Sequence, residues 1–362
     1  MKIIVNQKKI HQAIGITEKI VSRNASLPIL NNILIKTENG RVRLSATNLE
    51  IGTHFFIGAK IIEVGEITIP AKIFSDFISA TTSEKVNLST KNNILSVTSD
   101  EYKTQILGFD PKDFPIIPKL KNEPIAVINT KDFKNSLLSV MDSVAISEVR
   151  PELAGVFIGI KNNQAVIAST DGFRLSEVVA PIKNNEPFTV ILPRNTVAEL
   201  IRICSDIDGE IAIRSADNQL SFSNNDVELV SRVVDGTYPD YQKVIPEKFI
   251  SRVLAKKEDL EKNLRLAGLF SSATSEVKLS CTEDILTISA KNADKGEIET
   301  TLPVILKNEV FEISLNHRYL LDAMKNISTP DIILEFTGTN SPFVIRPSND
   351  KKATYLVMPL RT

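Results

Sequence analysis

The feature that most constrains this chain is a repeat. Ser45-Ala46-Thr47-Asn48 returns 123 residues later as Ala168-Ser169-Thr170-Asp171, and Pro70-Ala71-Lys72-Ile73-Phe74 returns at the same displacement as Pro193-Arg194-Asn195-Thr196-Val197. A weaker third copy follows: Asn316-His317-Arg318-Tyr319-Leu320 lies 123 residues further on, and Ser289-Ala290-Lys291-Asn292 lies 121 further on. Three copies in 362 residues give units of about 120 residues, each large enough to bury its own core. Proline and charge interrupt the pattern at Asp113-Phe114-Pro115-Ile116-Ile117-Pro118-Lys119 and again at Tyr238 to Pro246, which read as stiff connectors. The predicted domains are therefore 1–122, 123–246 and 247–362.

Each copy opens with an amphipathic helix. Phe133, Leu137, Val140, Met141 and Val144 form one apolar stripe after a predicted N-cap at Thr130; Ile10, Ile14, Thr17 and Val21 mark the stripe in the first copy, and Leu260, Leu264 and Ala267 in the third. A shorter helix follows the proline signal at Ile73 to Ala80, Thr196 to Cys204 and Tyr319 to Ile327. The remainder alternates in the manner of strands. Glu38-Asn39-Gly40-Arg41 and Lys161-Asn162-Asn163-Gln164 sit between alternating runs and predict hairpins. Hairpin-linked strands pair antiparallel, so the expected class is α+β, with two helices on antiparallel sheets in each repeat.

Composition narrows the function. A net charge of −1 with 42% hydrophobic and 24% charged residues describes an ordinary globular chain, and no apolar run is long enough to span a bilayer. Residues 1–9 lack a signal-peptide apolar region, so a cytoplasmic location is expected. Cys204 and Cys281 fall in periodic apolar segments and read as buried free thiols.

The charge is unevenly placed. Helices taken as 7–23, 72–80, 131–145, 194–206, 256–268 and 317–326 carry fifteen Lys and Arg against ten Asp and Glu, which leaves the rest of the chain at −6. Domains this large do not stack as a solenoid; they suggest a ring or arc, and a homodimer of three-domain chains would close with six. Helices lining such a ring would give a mildly basic interior. That suits a duplex which must be enclosed yet slide, since tight phosphate contacts and base readout both create stopping points.

The phrases Ser169-Thr170-Asp171-Gly172-Phe173-Arg174-Leu175, Val234-Asp235-Gly236-Thr237-Tyr238-Pro239-Asp240-Tyr241 and Tyr355-Leu356-Val357-Met358-Pro359-Leu360-Arg361, in that order within a threefold plan, resemble the bacterial sliding clamps, the DNA polymerase III beta subunit family. The resemblance covers the whole chain. It implies a DNA-clamp fold that closes as a homodimer into a six-domain ring around double-stranded DNA, without sequence specificity. It also implies a processivity role with the replicative DNA polymerase subunit, the clamp loader, and other polymerases and repair proteins as partners. These would dock short linear motifs in a cleft that includes Leu153, Thr170, Gly172, Leu175, Pro239, Lys243, Val244, Asn316, Tyr319, Leu356, Met358, Pro359, Leu360 and Arg361, with Arg150 and Arg174 at its rim. Together with the lining argument it favours Arg23, Lys72, Arg150, Arg194 and Arg202 for DNA. For the dimer seam it sets Lys103 and Ile106 against Leu269, Phe270, Glu297 and Glu299. Phe173 stands where the family commonly has histidine, Lys243 where it has arginine, and Pro151-Glu152 where aromatics often approach DNA.

Leucines, a methionine and prolines suit an apolar depression that serves several partners, with methionine supplying adaptability. No catalytic constellation is visible. The chain lacks GxxxxGK, GxSxG and paired-cysteine motifs, and His11, His54 and His317 are far apart. No enzyme activity, metal or cofactor is expected. The alternatives are a monomeric three-domain peptide-binding scaffold and a metal-dependent hydrolase whose acidic ligands meet only in the fold.

Overall fold

The computed structural model describes residues 1–21, 27–147, 149–350 and 352–360. Six α-helices occur among them in three pairs: α1 (Gln7–Ile20) with α2 (Ala71–Ala80), α3 (Thr130–Met141) with α4 (Arg194–Asp206), and α5 (Lys257–Gly268) with α6 (His317–Lys325). The stripes expected from periodicity are buried, including Ile10, Ile14, Phe133, Leu137, Leu260 and Leu264. Thr17, the polar member of the first stripe, is tolerated because its hydroxyl donates to the Ala13 carbonyl at 2.9 Å.

Helix ends shift by a few residues from expectation. Val21 closes α1 as its C-cap, and Val144, though buried, lies past the end of α3. The cap of α3 is Asn129, whose side chain accepts from the Lys131 amide at 3.0 Å, so Thr130 is the first helical residue. The second helix of each pair begins two residues early, at Ala71, Arg194 and His317. Pro70 and Pro193 explain two of these starts: a fixed φ suits a strand-to-helix corner, and the missing N–H is not needed there.

Both predicted hairpins form, with a third at Asn92-Asn93. Glu38 pairs with Arg41, Lys91 with Ile94 and Lys161 with Gln164, leaving two-residue turns at positive φ throughout. Asn and Gly tolerate that region, and the mirror-image turn matches strand twist.

The chain separates into two compact units. One comprises residues 1–131, 183–186 and 198–233, and the other 132–182, 187–197 and 234–362, so the central repeat contributes to both. The physical reason is that the sheets run across repeat boundaries. In the first unit a 13-stranded sheet joins the first two repeats where Ile51–Glu63 pairs antiparallel with Val227–Arg232. In the second unit a nine-stranded sheet joins the second and third repeats where Arg174–Pro181 pairs with Ala353–Val357. A further four-stranded sheet, Glu276–Thr282, Ile285–Asn292, Gly296–Pro303 and Phe311–Asn316, completes the third repeat.

The core of that third repeat lies between sheet and helix faces. Leu264, Leu320 and Met324 from α5 and α6 meet Val277, Leu279 and Ile288 from the strands, and Phe311 stacks on Phe336 at 4.8 Å. Cys204 and Cys281 are buried and in no disulfide; burial, with Asp284 nearby, pushes Cys281 up to about 11. No described helix is long and apolar enough to cross a membrane.

Candidate functional site

The seam between the second and third repeats is built on a tight corner. Strand Gln164–Thr170 turns into Arg174–Pro181, with Thr170 opposite Leu175 and Leu175 in turn opposite Leu356. The Thr170 hydroxyl donates to the Arg174 carbonyl at 2.6 Å and accepts from the Gly172 amide at 3.1 Å. Asp171 Oδ1 accepts from the amides of Phe173 and Arg174 at 2.9 and 3.0 Å. Gly172 has φ 89°, a left-handed conformation that any side chain would strain.

Beneath the corner lies an apolar cluster. Leu153, Ala168, Leu175, Ile191, Tyr238, Tyr241, Val344 and Leu356 are buried in it, with Phe157, Val234, Ile245, Phe249 and Met358 half-buried against it. Phe157 stacks on Tyr238 at 5.4 Å and meets Tyr241 edge-on at 6.0 Å. Each phenol has a partner: the Tyr238 oxygen accepts from the Thr170 amide at 3.0 Å, and the Tyr241 hydroxyl donates to Glu177 at 2.7 Å. Burial pushes both phenols above their ordinary value, and at Tyr241 the Glu177 carboxylate adds to the rise. Both therefore stay neutral at physiological pH.

Arg174 is the polar centre. Its side chain, 15% exposed, pairs with Asp171 at 3.1 Å and with Asp322 of α6, and its guanidinium lies 4.4 Å from the centre of the Tyr319 ring. A buried guanidinium needs such company, because removing its partners would leave an uncompensated charge. The end of the chain is tied to the same place. The Met358 amide donates to the Phe173 carbonyl at 2.8 Å, and the Leu360 amide to the Ser314 carbonyl at 2.9 Å.

Of the residues expected in a cleft, the structure gathers Leu153, Leu175, Leu356 and Met358 into one cluster, with Thr170 and Gly172 forming the corner above. Pro239 and Val244 flank Tyr241 on the connector, and Val244 is 45% exposed. Pro359 and Leu360 are half-buried. Lys243 is exposed and pairs with Asp240 at 2.8 Å, a contact of little energetic weight at the surface. Asn316 is structural here: it caps α6 by accepting from the Arg318 amide and donates to the Thr274 carbonyl. Arg361 lies outside the described residues. Tyr238, Tyr241 and Phe157 were missed, although the first two stand in a phrase from which only Pro239 was singled out.

The residues expected to meet DNA differ in what holds them. Lys72 is exposed on α2 and pairs with Asp76 at 2.7 Å; Arg150 is exposed and pairs with Glu152 at 3.1 Å. A hydrogen bond to its own backbone, then Arg150, hold the Glu152 carboxyl below the usual range. Arg194 donates to the Val144 carbonyl at 3.1 Å. Arg202 pairs with Glu199 and donates to the carbonyls of Gly15 and Ile16 at 2.9 and 2.7 Å, so its donors tie α4 to α1. Arg23 lies outside the described residues. The six observed helices carry thirteen Lys and Arg against nine Asp and Glu, an excess of four.

Of the residues expected at a dimer seam, Lys103, Ile106, Glu297 and Glu299 lie on two sheet edges, and Leu269 and Phe270 follow α5. Lys103–Leu107 pairs on one side with Ile94–Thr98, and Gly296–Pro303 on one side with Ile285–Asn292. Ile106, at 5% exposure, packs inward, and Leu107, at 72%, is the more exposed apolar side chain of this strand. Leu269 is 63% exposed, Phe270 is half-buried against the core, Glu297 pairs with Lys291, and Glu299 is exposed.

Among the described residues no group of three or more His, Cys, Asp or Glu side chains is placed to hold a metal ion. Two-helix, antiparallel-sheet domains repeated three times, with an apolar cluster at a seam, define a DNA-clamp fold. Models of the N-terminal, central and C-terminal domains of the DNA polymerase III beta subunit match residues 1–118, 127–240 and 242–361, and the chain belongs to that family. It is 29% identical over 362 residues to the beta sliding clamp of Staphylococcus epidermidis, covering 96% of this chain and 95% of that protein. The DNA polymerase III beta subunit of Thermotoga maritima superposes with a TM-score of 0.94 at 27% identity, over 100% of this chain and 99% of that one. The sliding clamp of Bartonella birtlesii bound to griselimycin superposes with a TM-score of 0.92 at 28% identity, over the whole of both chains.

Proposed function

We propose that this protein is a non-catalytic sliding clamp: two copies close into a ring around double-stranded DNA and hold the replicative polymerase, the clamp loader and other clamp-binding proteins at the cleft. In this reading the domains are 1–122, 123–246 and 247–362. The two open sheet edges, at Lys103–Leu107 and Gly296–Pro303, join chain to chain. The helices face the duplex, and their excess of four positive charges is small enough to allow sliding. Lys72 and Arg150 are the exposed candidates for phosphate contact. The protein acts in the cytoplasm and needs no metal or cofactor.

The observation that carries the reading is the second seam. Leu153, Leu175, Leu356 and Met358 gather in one apolar cluster with Tyr238, Tyr241 and Phe157, beside the Arg174 pairs to Asp171 and Asp322, and this supports reading the seam as a cleft for apolar side chains. Such a site binds apolar side chains and does nothing chemical to them. The test is retention after loading on nicked circular and on linear DNA. The ring predicts long residence on circles and rapid loss from linear ends; equal loss from both, or a monomer at micromolar concentration, overturns it.

A further inference from the structure

The two seams within the chain follow one pairing pattern. In the first, a meander of Glu210–Ala216, Gln219–Ser223 and Val227–Arg232 adds its last strand to Ile51–Glu63, the strand that leaves the corner at Thr47. In the second, Asp331–Phe336, Phe343–Pro347 and Ala353–Val357 make the meander, and its last strand adds to Arg174–Pro181, which leaves the corner at Thr170. The register is the same in both. Gly52 faces Val230 and His54 faces Glu228, as Leu175 faces Leu356 and Glu177 faces Thr354.

A third set of these parts is left unjoined. Lys85–Lys91, Ile94–Thr98 and Lys103–Leu107 form the meander of the first repeat, and Gly296–Pro303 is the corner strand of the third. Among the described residues, Lys103–Leu107 and Gly296–Pro303 are each paired on one side only. Their register follows by counting. Gln219 and Ile94 each come first after a two-residue turn, so Ser221, which faces Val230, corresponds to Ser96, which faces Gln105. Thr170 faces Leu175, and its counterpart 121 residues on, Lys291, faces Glu297. Gln105 therefore belongs opposite Glu297, and antiparallel pairing then sets Lys103 opposite Glu299.

Burial agrees with that register. Lys103, Gln105, Glu297 and Glu299 are exposed, whereas Thr104, Ile298 and Thr300 are half-buried. The count pairs exposed with exposed and Thr104 with Ile298; a slip of one residue would set Lys103 against Ile298 or Thr300, on the other face. Charge singles out one pair. Glu297 is already held by Lys291 at 3.1 Å, while Lys103 and Glu299 take part in no ion pair among the described residues.

We infer that the chain-to-chain seam repeats the register of the two seams within the chain, with Lys103 directly opposite the partner's Glu299 and Gln105 opposite the partner's Glu297, and that Lys103 and Glu299 are its charge match. The inference rests on the reading of the protein as a ring of two chains.

Cross-linking of the full chain reads the register. Residues directly opposite have Cα atoms ~4.5–5.5 Å apart, within reach of a disulfide, whereas diagonal neighbours at ~7–8 Å are not. Gln105→Cys/Glu297→Cys should therefore form a covalent dimer with oxidised glutathione, and Gln105→Cys/Glu299→Cys should not. Lys103→Glu sets like charges opposite at both chain-to-chain seams and should weaken the dimer ~10-fold in sedimentation equilibrium. Lys103→Glu/Glu299→Lys should recover it, since each seam then carries the same pair reversed. No recovery, with an unaltered melting profile, overturns the charge match. A covalent dimer through Glu299→Cys instead of Glu297→Cys, or through neither in a chain that sediments as a dimer, overturns the register and leaves the ring standing. An unaltered chain that is monomeric at micromolar concentration removes the ring reading, and the register with it.

Discussion

The two seams are one backbone used twice, and they differ in where their polar groups point. In the first, His54 sits opposite Ser45 on one side and Glu228 on the other, and Ser45 Oγ lies 2.8 Å from His54 Nδ1. Burial, reinforced by Arg43 and Lys119, drives His54 down to about 3, so a neutral imidazole is sealed inside the sheet. In the second, the corresponding position is Glu177, opposite Ala168 and Thr354, and it accepts a hydrogen bond from Tyr241 of the apolar cluster. One seam spends its side chains on closing itself; the other spends them on shaping a surface. A repeat fixes the frame, and the exceptions to the repeat assign the work.

The sharpest way to break this contrast is at the paired leucines. Leu356 is 2% exposed within the cleft cluster, so Leu356→Ala should cost about 2–5 kcal/mol in urea denaturation. A loss under about 1 kcal/mol would mean that the second seam is not packed as a core.

Acid should probe the first seam next. A buried histidine held below its unfolded value binds fewer protons folded than unfolded, so its contribution is complete above pH 6.5 and is lost as pH falls towards 3. That slope corresponds to at most about 2 kcal/mol by pH 5. Glu228, whose carboxyl burial pushes up despite Lys119, Arg214 and Arg43, opposes and trims it. His54→Gln should flatten the difference between denaturation midpoints at pH 7.5 and pH 5; an unchanged difference would assign the acid sensitivity elsewhere.

The smallest effect is expected at the turn. Leu49 holds φ 76°, where the second seam has Gly172 at φ 89°. A leucine in that region stores strain, partly offset on replacement by the entropy of a freer glycine, so Leu49→Gly should gain about 0.5–1 kcal/mol. A loss instead would show that the exposed leucine packs more tightly than its half-open position implies.

What was legible in the sequence follows the range of the forces involved. Asn39-Gly40 and Asn162-Asn163 announce their hairpins because a positive φ is decided within two residues. Helix stripes are equally local. Leu153, Leu175, Leu356 and Met358 came through the resemblance, since nothing in their own neighbourhoods distinguishes a cleft leucine from a core one. The bonds that hold Arg202 are illegible for a similar reason: its partners Gly15 and Ile16 lie more than 180 positions away in the chain. Ile106 and Leu107 stand on opposite faces of an edge strand, at 5% and 72% exposure, and the alternation alone does not say which face is covered.

The last strand of the nine-stranded sheet has a consequence in time. Ala353–Val357 supplies the partner of Leu175, and it leaves the ribosome only after every other strand of that sheet. The corresponding strand of the first seam, Val227–Arg232, emerges more than a hundred residues earlier. A growing chain can therefore finish its closed seam while the open one is still unmade. A chain that stops before residue 353 lacks the strand that pairs with Leu175.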